Sequence, residues 1–405
     1  GLSTFVIPTK VQDVVTISGS MLGGTLFSNN NKISSITSSM LDKGTRNKTK
    51  DDINNQLESI GAEISFVSSK RHINFTAHCL KTNVDTVIQL LAEQLREAIF
   101  PEDELDFLKK RIIANLEISR DDTKKQALIN FLREIYPEEH HNCSSTIAQS
   151  IENIQLINTK DLILFHDKAC GLGSLKLAAA GDISSNQFSA LVEKYFDGWK
   201  DQKVENLNQS VPALNRKKSC TTKNIDDKTS SDVYIGQSIE LSEDSKDYLS
   251  LMVGIYILGG NFSARLMQTV RDEQGLTYGI GSALAGCAYG TNGHWHTWGT
   301  FSPDLVEQGI ASTREEIKKW YDKGISDEEL IAKKTTLNGL FNVSLDTTSG
   351  IIDKVLTNAE KGRDVSYLDN YTKFIRKLDR NKINQVIKKY IDPNKLTISI
   401  SGSKA

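Results

Sequence analysis

Little in these 405 residues leans to one sign of charge: 49 Lys and Arg stand against 51 Asp and Glu, a net charge of −2. That balance argues against a nucleic-acid binder, which would show a basic excess or a basic stripe. The densest basic clusters, Arg216-Lys217-Lys218 and Arg376-Lys377, read as ordinary solvated surface. No apolar run approaches the ~18 residues that a bilayer-spanning helix requires, so no transmembrane segment is expected. No signal-like stretch opens the chain at Gly1, which implies a targeting peptide already removed or never present. Cysteine is scarce and scattered. Cys79, Cys143, Cys170, Cys220 and Cys287 form no C-x-x-C pair, which argues against a disulfide framework or zinc ribbon and leaves the compartment open. The glycine-bearing stretch "GGNFSAR" has neither a G-x-x-x-x-G-K-[ST] phosphate cradle nor a dinucleotide pattern. No Ser-His-Asp or Cys-His order can be argued.

What is present repeats itself. The length suits two domains better than one, and two segments about 224 residues apart share a plan. "FPEDELDFLKKRIIANL" (100–116) resembles "GISDEELIAKKTTLNGL" (324–340), matching Asp103-Glu104 to Asp327-Glu328, Lys109-Lys110 to Lys333-Lys334 and Leu116 to Leu340. An amphipathic helix precedes each: Val84, Val87, Ile88, Leu91, Leu95 and Ile99 in the first half, Leu305, Ile310, Ile317 and Trp320 in the second. Before each helix lies an alternating strand, "HINFTAHCL" (72–80) and "GHWHTWGTF" (293–301), and each half closes on a strand, "SLKLAAAGDIS" and "KLTISISGS". Ser326 and Glu329 predict a capping box at the acidic helix start. The fold class expected is therefore α+β, in two tandem, similar domains, each a mostly antiparallel sheet with helices packed on one face. The first domain spans 1–200, a polar linker 201–232, and the second domain 233–405, opening with the strand-like "VYIGQSIEL".

Two stretches carry the chemistry. "SSITSSMLDKGT" (34–45) reads as a helix, with Ile36, Met40 and Leu41 on one face, closed by Lys43-Gly44-Thr45. "LGGNFSARLMQTVRDEQGLTYGIG" (258–281) reads as a helix through Leu266, Met267 and Val270, ended by Gly275 and followed by a strand from Thr277-Tyr278-Gly279. On periodicity alone the second is a plain helix–turn–strand connection with solvated Arg271, Asp272 and Glu273. Yet G-G-x-F-S-x-R-L followed by V-R-[DE]-x-x-G-L-x-Y resembles the second-domain signature of the pitrilysin/insulinase-type zinc metallopeptidases, in their two-domain, processing-peptidase-like branch. The duplicated domain, the K-G-T, the linker and the closing strands extend the resemblance over nearly the whole chain.

The resemblance implies that Arg271 and Tyr278 are the substrate-binding pair of that family, hydrogen-bonding a peptide near the scissile bond. The chemistry suits the role, since arginine offers a fixed fork of donors to a carbonyl and a phenol can stabilise a developing oxyanion. It also implies a zinc motif, H-x-x-E-H, followed at once by M-L-x-x-G-T. Laid on Met40-Leu41-Asp42-Lys43-Gly44-Thr45, that motif places its two ligands at Ser35 and Ser39 and its general base at Ser38. Register places the third ligand, a glutamate in the family, at Leu116, with Glu117 turned about 100° around the helix. These are degenerate zinc-motif positions: zinc needs imidazole, thiolate or carboxylate donors. Without zinc and a base, water keeps its bulk acidity. The expectation is that this chain binds no metal, has no catalytic residues of its own and cuts no peptide alone.

Two other clusters are weighed. "PEEHHNC" (137–143) gathers carboxylates, histidines and a cysteine, but adjacent His140 and His141 do not share a helix face, and Pro137 indicates a loop. His294 and His296 in "HWH" do share a strand face, without an evident third ligand; histidines serving the strand itself are the expected reading. The resemblance then implies a non-catalytic subunit of a heterodimeric peptidase, whose partner carries H-x-x-E-H and the zinc, with peptides as substrates. The competing readings are a structural or assembly protein like the core subunits of a respiratory complex, and a substrate-capturing subunit like the processing-peptidase α chain. "ILGGNFSAR" lacks the extended glycine-rich loop of that last type. Among compartments, the resemblance favours the bacterial periplasm.

Overall fold

A computed structural model describes residues 2–201, 204, 212–213 and 218–403, which divide into two compact units. The first draws on Gly1–Ala114, Gln149–Leu207 and Phe341–Tyr371. Its sheet contains β1 (Ser3–Pro8), β2 (Val14–Leu22), β3 (Glu63–Ser68), β4 (His72–Leu80) and β5 (Lys176–Gly181), in the order β1-β5-β2-β4-β3. Strand β1 runs parallel to β5, and the other pairings are antiparallel. Successive side chains of a strand point to opposite faces, and the sequence uses both. Val15, Ile17 and Met21 on β2 and Ile73, Phe75, Ala77 and Cys79 on β4 are all buried. The helix Val84–Arg96 adds Val87, Ile88, Leu91 and Leu95 to the buried set. Ile99, expected on that stripe, lies beyond the helix end and is exposed, because the chain turns at Glu97. On β2, Gly19 is required by space: a Cβ there would meet the Phe75 ring at 2.3 Å and the Lys176 carbonyl oxygen at 2.6 Å.

The alternate residues of the same strands are polar, and the helix Thr348–Glu360 packs on that face. Ala178 and Ala180 of β5 form a buried cluster with Ile352 and Leu356, flanked by Phe5 and Ile7. The Thr16 and Thr348 hydroxyls are hydrogen-bonded at 2.7 Å.

The second unit draws on Asn115–Ala148, Asn208–Leu340 and Thr372–Ala405. Its strands are β6 (Ser219–Asn224), β7 (Ser231–Ser238), β8 (Gly279–Ala285), β9 (His294–Phe301) and β10 (Thr397–Gly402), in the order β6-β10-β7-β9-β8. Again one outer pair is parallel, β6 with β10, and the rest are antiparallel. Trp295 and Phe301 face one way and pack with Ile317 and Trp320 in the core, the Trp295 and Trp320 rings stacked at 6.0 Å. On the other face the helix Thr123–Ile135 contributes Ala127, Phe131 and Ile135 to a buried cluster with Tyr136 and Tyr234.

This is the expected α+β fold in duplicate, with one addition on each sheet's second face. There each unit uses a helix from the other half of the chain: 341–371 belongs to the first unit and 115–148 to the second. Part of the expected linker, 201–232, lies outside the described residues, but residues 218–232 do not. Residues 219–224 are β6, and 231–232 begin β7. The polar sequence "SCTTKN" hid an edge strand, since such a strand faces water on much of its surface.

The repeat register also shifts by one residue. Lys109 Nζ donates to the carbonyl oxygens of Gln155 and Ile157, and Lys334 Nζ to those of Arg376 and Leu378. Lys109 is therefore the counterpart of Lys334, and the helices Glu102–Ile118 and Asp327–Val343 correspond end to end. The capping box at Ser326 and Glu329 forms as expected.

Candidate functional site

The first motif folds as the helix Ile33–Met40. Ile36 and Met40 are buried, and Gly44 in the K-G-T takes φ +142°, a conformation that glycine adopts without strain. The loop is then fixed by Glu93, whose carboxylate accepts from Thr45 Oγ1 at 2.6 Å and from Lys48 Nζ at 2.5 Å. Ser35, Ser38 and Ser39 lie on this one helix. Their hydroxyls serve the backbone where the structure gives a partner: Ser35 Oγ donates to the Lys32 carbonyl at 2.9 Å, and Ser38 Oγ to the Ser34 carbonyl at 2.9 Å. Ser38 is also buried.

Leu116 falls on the helix Glu102–Ile118 and is half-buried, in the part of that helix grouped with the second unit. Glu117 beside it is ion-paired with Arg120. Neutral hydroxyls turned to their own helix and an alkyl side chain do not fit a zinc ion, which takes nitrogen, thiolate or carboxylate donors. No step of chemistry is therefore assigned to a metal on these residues.

The second motif takes a form that the sequence did not announce. Met267–Glu273 is a π-helical segment, wider than an α-helix by one residue per bond. Gly275 closes it at φ +64°, its N–H bonded to the Arg271 carbonyl at 3.0 Å. This turn returns the chain so that Tyr278, at the head of β8, lies beside Arg271. Arg271 Nε donates to the Tyr278 carbonyl oxygen at 3.2 Å, and its Nη1 pairs with Asp272 at 2.9 Å. The Tyr278 side chain is unburied, the residue being 82% exposed, and Arg271's side chain is 42% exposed. The sequence thus brings these two together, and the link runs through the backbone rather than ring to fork.

Other residues of the motif are structural. Arg265 Nε and Nη2 grip the Glu329 carboxylate at 2.6 and 2.7 Å, and Nη2 also reaches the Gly324 carbonyl at 2.8 Å. Lys333, buried, donates to Asn261 Oδ1 and to both oxygens of Ser263. Sequence reading used Lys333 only as a repeat marker. A lysine one turn after Glu329, aimed at the same glycine loop, was the signal available.

The histidines form no metal cluster. Among the described residues, no three His, Cys, Asp or Glu side chains are grouped to hold an ion. His140 is stacked on Tyr136 with centroids 4.1 Å apart, and its Nδ1 accepts from the Asn142 N–H at 2.9 Å. His294 Nδ1 lies 3.1 Å from the Tyr136 hydroxyl, and the His294 and His296 rings are 5.2 Å apart. Burial pushes His296 down to about 4. Their shared strand face was legible; its cover, the helix Thr123–Ile135, was not.

Comparison with known proteins gives a consistent picture. Residues 19–148 match the family model described as Insulinase (Peptidase family M16), and residues 157–337 match that described as Peptidase M16 inactive domain. A curated relative from Helicobacter pylori, named non-peptidase homolog YmxG, is 23% identical over 398 residues, covering 94% of this chain and 87% of that one. An uncharacterized zinc protease of Rickettsia felis is 24% identical over 341 residues, covering 83% and 80%. Among solved structures, a peptidase M16 inactive domain from Pseudomonas fluorescens superposes with a TM-score of 0.90 at 20% identity, covering 100% of this chain and 96% of that one. The periplasmic protease PqqL from Escherichia coli superposes with a TM-score of 0.78 at 12% identity, covering 97% of this chain and 43% of the longer one.

Proposed function

Because this chain belongs to the insulinase peptidase family, M16, we propose that it is the non-catalytic subunit of a heterodimeric zinc peptidase. Its partner carries H-x-x-E-H and the zinc, and this chain supplies Arg271 and Tyr278 to the bound peptide. The observation that supports this most is the contrast between its two motifs. The zinc-motif helix holds serines engaged with their own backbone, while in the second motif the Arg271 guanidinium is bonded to the backbone carbonyl of Tyr278, whose side chain is exposed. The name of the Helicobacter pylori relative, a non-peptidase homolog, agrees with inactivity in isolation.

The pair's work is electrostatic. Arg271 keeps Nε on the Tyr278 carbonyl and has further N–H groups for a peptide carbonyl. The Tyr278 hydroxyl donates to the oxygen on which negative charge develops, a bond that strengthens toward the transition state. Loss of one such donor costs ~10²–10³ in kcat. The test is to reconstitute the chain with an H-x-x-E-H-bearing homologue and compare Arg271→Ala and Tyr278→Phe with the parent. The expected result is a fall of that size in an intact heterodimer. Near-normal turnover would overturn the assignment in favour of an assembly role.

A second measurement concerns the metal. Elemental analysis of the purified chain is expected to find far less than one zinc per molecule and no peptide cleavage. A stoichiometric, tightly held zinc abolished by Ser35→Ala or Ser39→Ala would refute the degenerate-site reading.

A further inference from the structure

Where the two parallel strands of the second sheet begin, the fold holds a cavity that neither motif uses. Strand β6 runs beside β10, with Ser219 paired to Thr397 and Cys220 to Ile398. Successive side chains point to opposite faces. The Ser219 hydroxyl donates to that of Thr397 at 3.2 Å on one face, and Cys220 and Ile398 take the other. There the helix Val306–Lys323 brings Arg314, and the turn before β10 brings Asn394. Lys218 and Leu396 join these residues in lining a cavity of about 220 Å³.

Leu396 and Ile398 are buried and give the cavity an apolar floor, whereas Lys218 and Arg314 are exposed and cationic. No Asp or Glu lines it. Among the described residues, the two cations, the Cys220 thiol and the Asn394 amide have no internal partner. Neighbouring acids are engaged elsewhere, Glu315 with Lys319 at 2.9 Å and Asp392 with Lys395 at 3.5 Å.

The duplicated fold leaves such a corner twice and makes it cationic once. In the first unit β1 runs beside β5 in the same way, Thr4 paired with Leu177 where Cys220 pairs with Ile398. The cavity at that corner is lined by Leu2 and Thr4 with Glu193 and Asp197, and by no Lys or Arg. Two unpaired cations are therefore not a by-product of sheet geometry.

We propose that the cavity of the second unit binds a small organic carboxylate with a compact apolar body. An anion complements Lys218 and Arg314, and the planar guanidinium fork matches a carboxylate in particular. The Asn394 amide adds a neutral donor. Leu396 and Ile398 favour an alkyl or aryl body over inorganic phosphate, which would cover none of their apolar surface. A free α-amino acid is disfavoured, because its ammonium group would meet two like charges. The volume is about the share of seven liquid waters, which suits a ligand the size of benzoate. Exposed cations contribute modestly, so Kd is on the order of 1 mM.

Cys220 reports on the site, since it is exposed while Cys143 is half-buried and the other three cysteines are buried. The purified chain is treated with neutral iodoacetamide. The Cys220 thiolate attacks the methylene carbon, iodide leaves, and mass spectrometry follows the alkylated peptide. Benzoate is expected to slow this alkylation, with half-protection on the order of 1 mM, and uncharged benzamide is not. Arg314→Ala and Lys218→Ala should each weaken protection about tenfold or more. Arg314→Lys, which keeps the charge and loses the fork, should fall between Arg314→Ala and the parent. Because neither side chain has an internal partner, the urea midpoints of these variants should match the parent's. Cys220→Ser removes the reporter and keeps the cavity, so ligand-observed NMR should find benzoate bound to it as to the parent. No binding by either method would overturn the inference, as would equal protection by benzamide or by inorganic phosphate. Undiminished benzoate protection in an Arg314→Ala chain that unfolds like the parent would overturn it too.

Discussion

Phe131→Ala should destabilise the second unit by about 3–5 kcal/mol, the range for truncating a buried aromatic. Phe131 is fully buried on the helix Thr123–Ile135, and its ring lies 6.1 Å from Tyr234, 5.9 Å from His294 and 6.1 Å from His296. It is the main apolar cover over strand residues that are otherwise polar. Its removal would cost the transfer free energy of the ring and leave a cavity beside imidazoles that water would then reach. Three of the four tryptophans, Trp295, Trp298 and Trp320, belong to this unit, so fluorescence-monitored urea unfolding reports on it. Phe131→Leu, which keeps most of the volume, should cost far less. A loss under about 1 kcal/mol for Phe131→Ala would mean that the helix does not hold this face.

Acid should weaken the fold well before the carboxylates protonate. Burial holds His296 down at about 4, and its Nδ1 has no hydrogen-bond partner among the described residues. Above the ordinary histidine value of 6.5 the ring is neutral in folded and unfolded chains alike, and its stability contribution is complete. As pH falls through 6.5 the unfolded chain takes a proton that the folded chain refuses, so stability declines until about pH 4 and then levels off. The full span is worth about 3 kcal/mol for this one residue.

His166 and His72 act in the same direction. Burial lowers both, against a hydrogen bond to the Leu95 carbonyl for His166 and the Glu360 carboxylate for His72. Asp247, held at about 2 by Lys382 and Lys389, stays charged between pH 6.5 and 4.5 and does not contribute to the slope there. Unfolding midpoints measured across that window should fall steadily, and His296→Phe should flatten the tryptophan-reported curve. A curve already flat in the parent, or unchanged in the variant, would count against a desolvated, neutral His296.

Much of the fold was legible in the chain. Alternation in "HINFTAHCL" and "GHWHTWGTF" marked strands that are now β4 and β9, and the stripe Val87, Ile88, Leu91, Leu95 marked a helix that is there. These are local signals, because a strand's period of two and a helix's of 3.6 are properties of the backbone alone. Ser35, Ser38, Ser39 and Leu116 offer no imidazole, thiolate or carboxylate, which is a matter of residue chemistry alone. Arg271 and Tyr278 were picked out by motif, and their adjacency followed from a short turn at Gly275.

What tertiary structure alone decided is which surface covers which. The apolar residues of Thr123–Ile135 and Thr348–Glu360 announce that each helix is buried, but not that each is buried on the sheet of the other chain half. Amphipathicity records a need for a partner without naming it, because burial of apolar area is non-directional. The burial of His140 and His294, the stacking of their rings and the lowered basicity of His296 follow from the packing around that sheet face and were invisible beforehand. So was the outermost place of β8 in its sheet, since whether a strand is central or outermost depends on pairing between segments far apart in the chain.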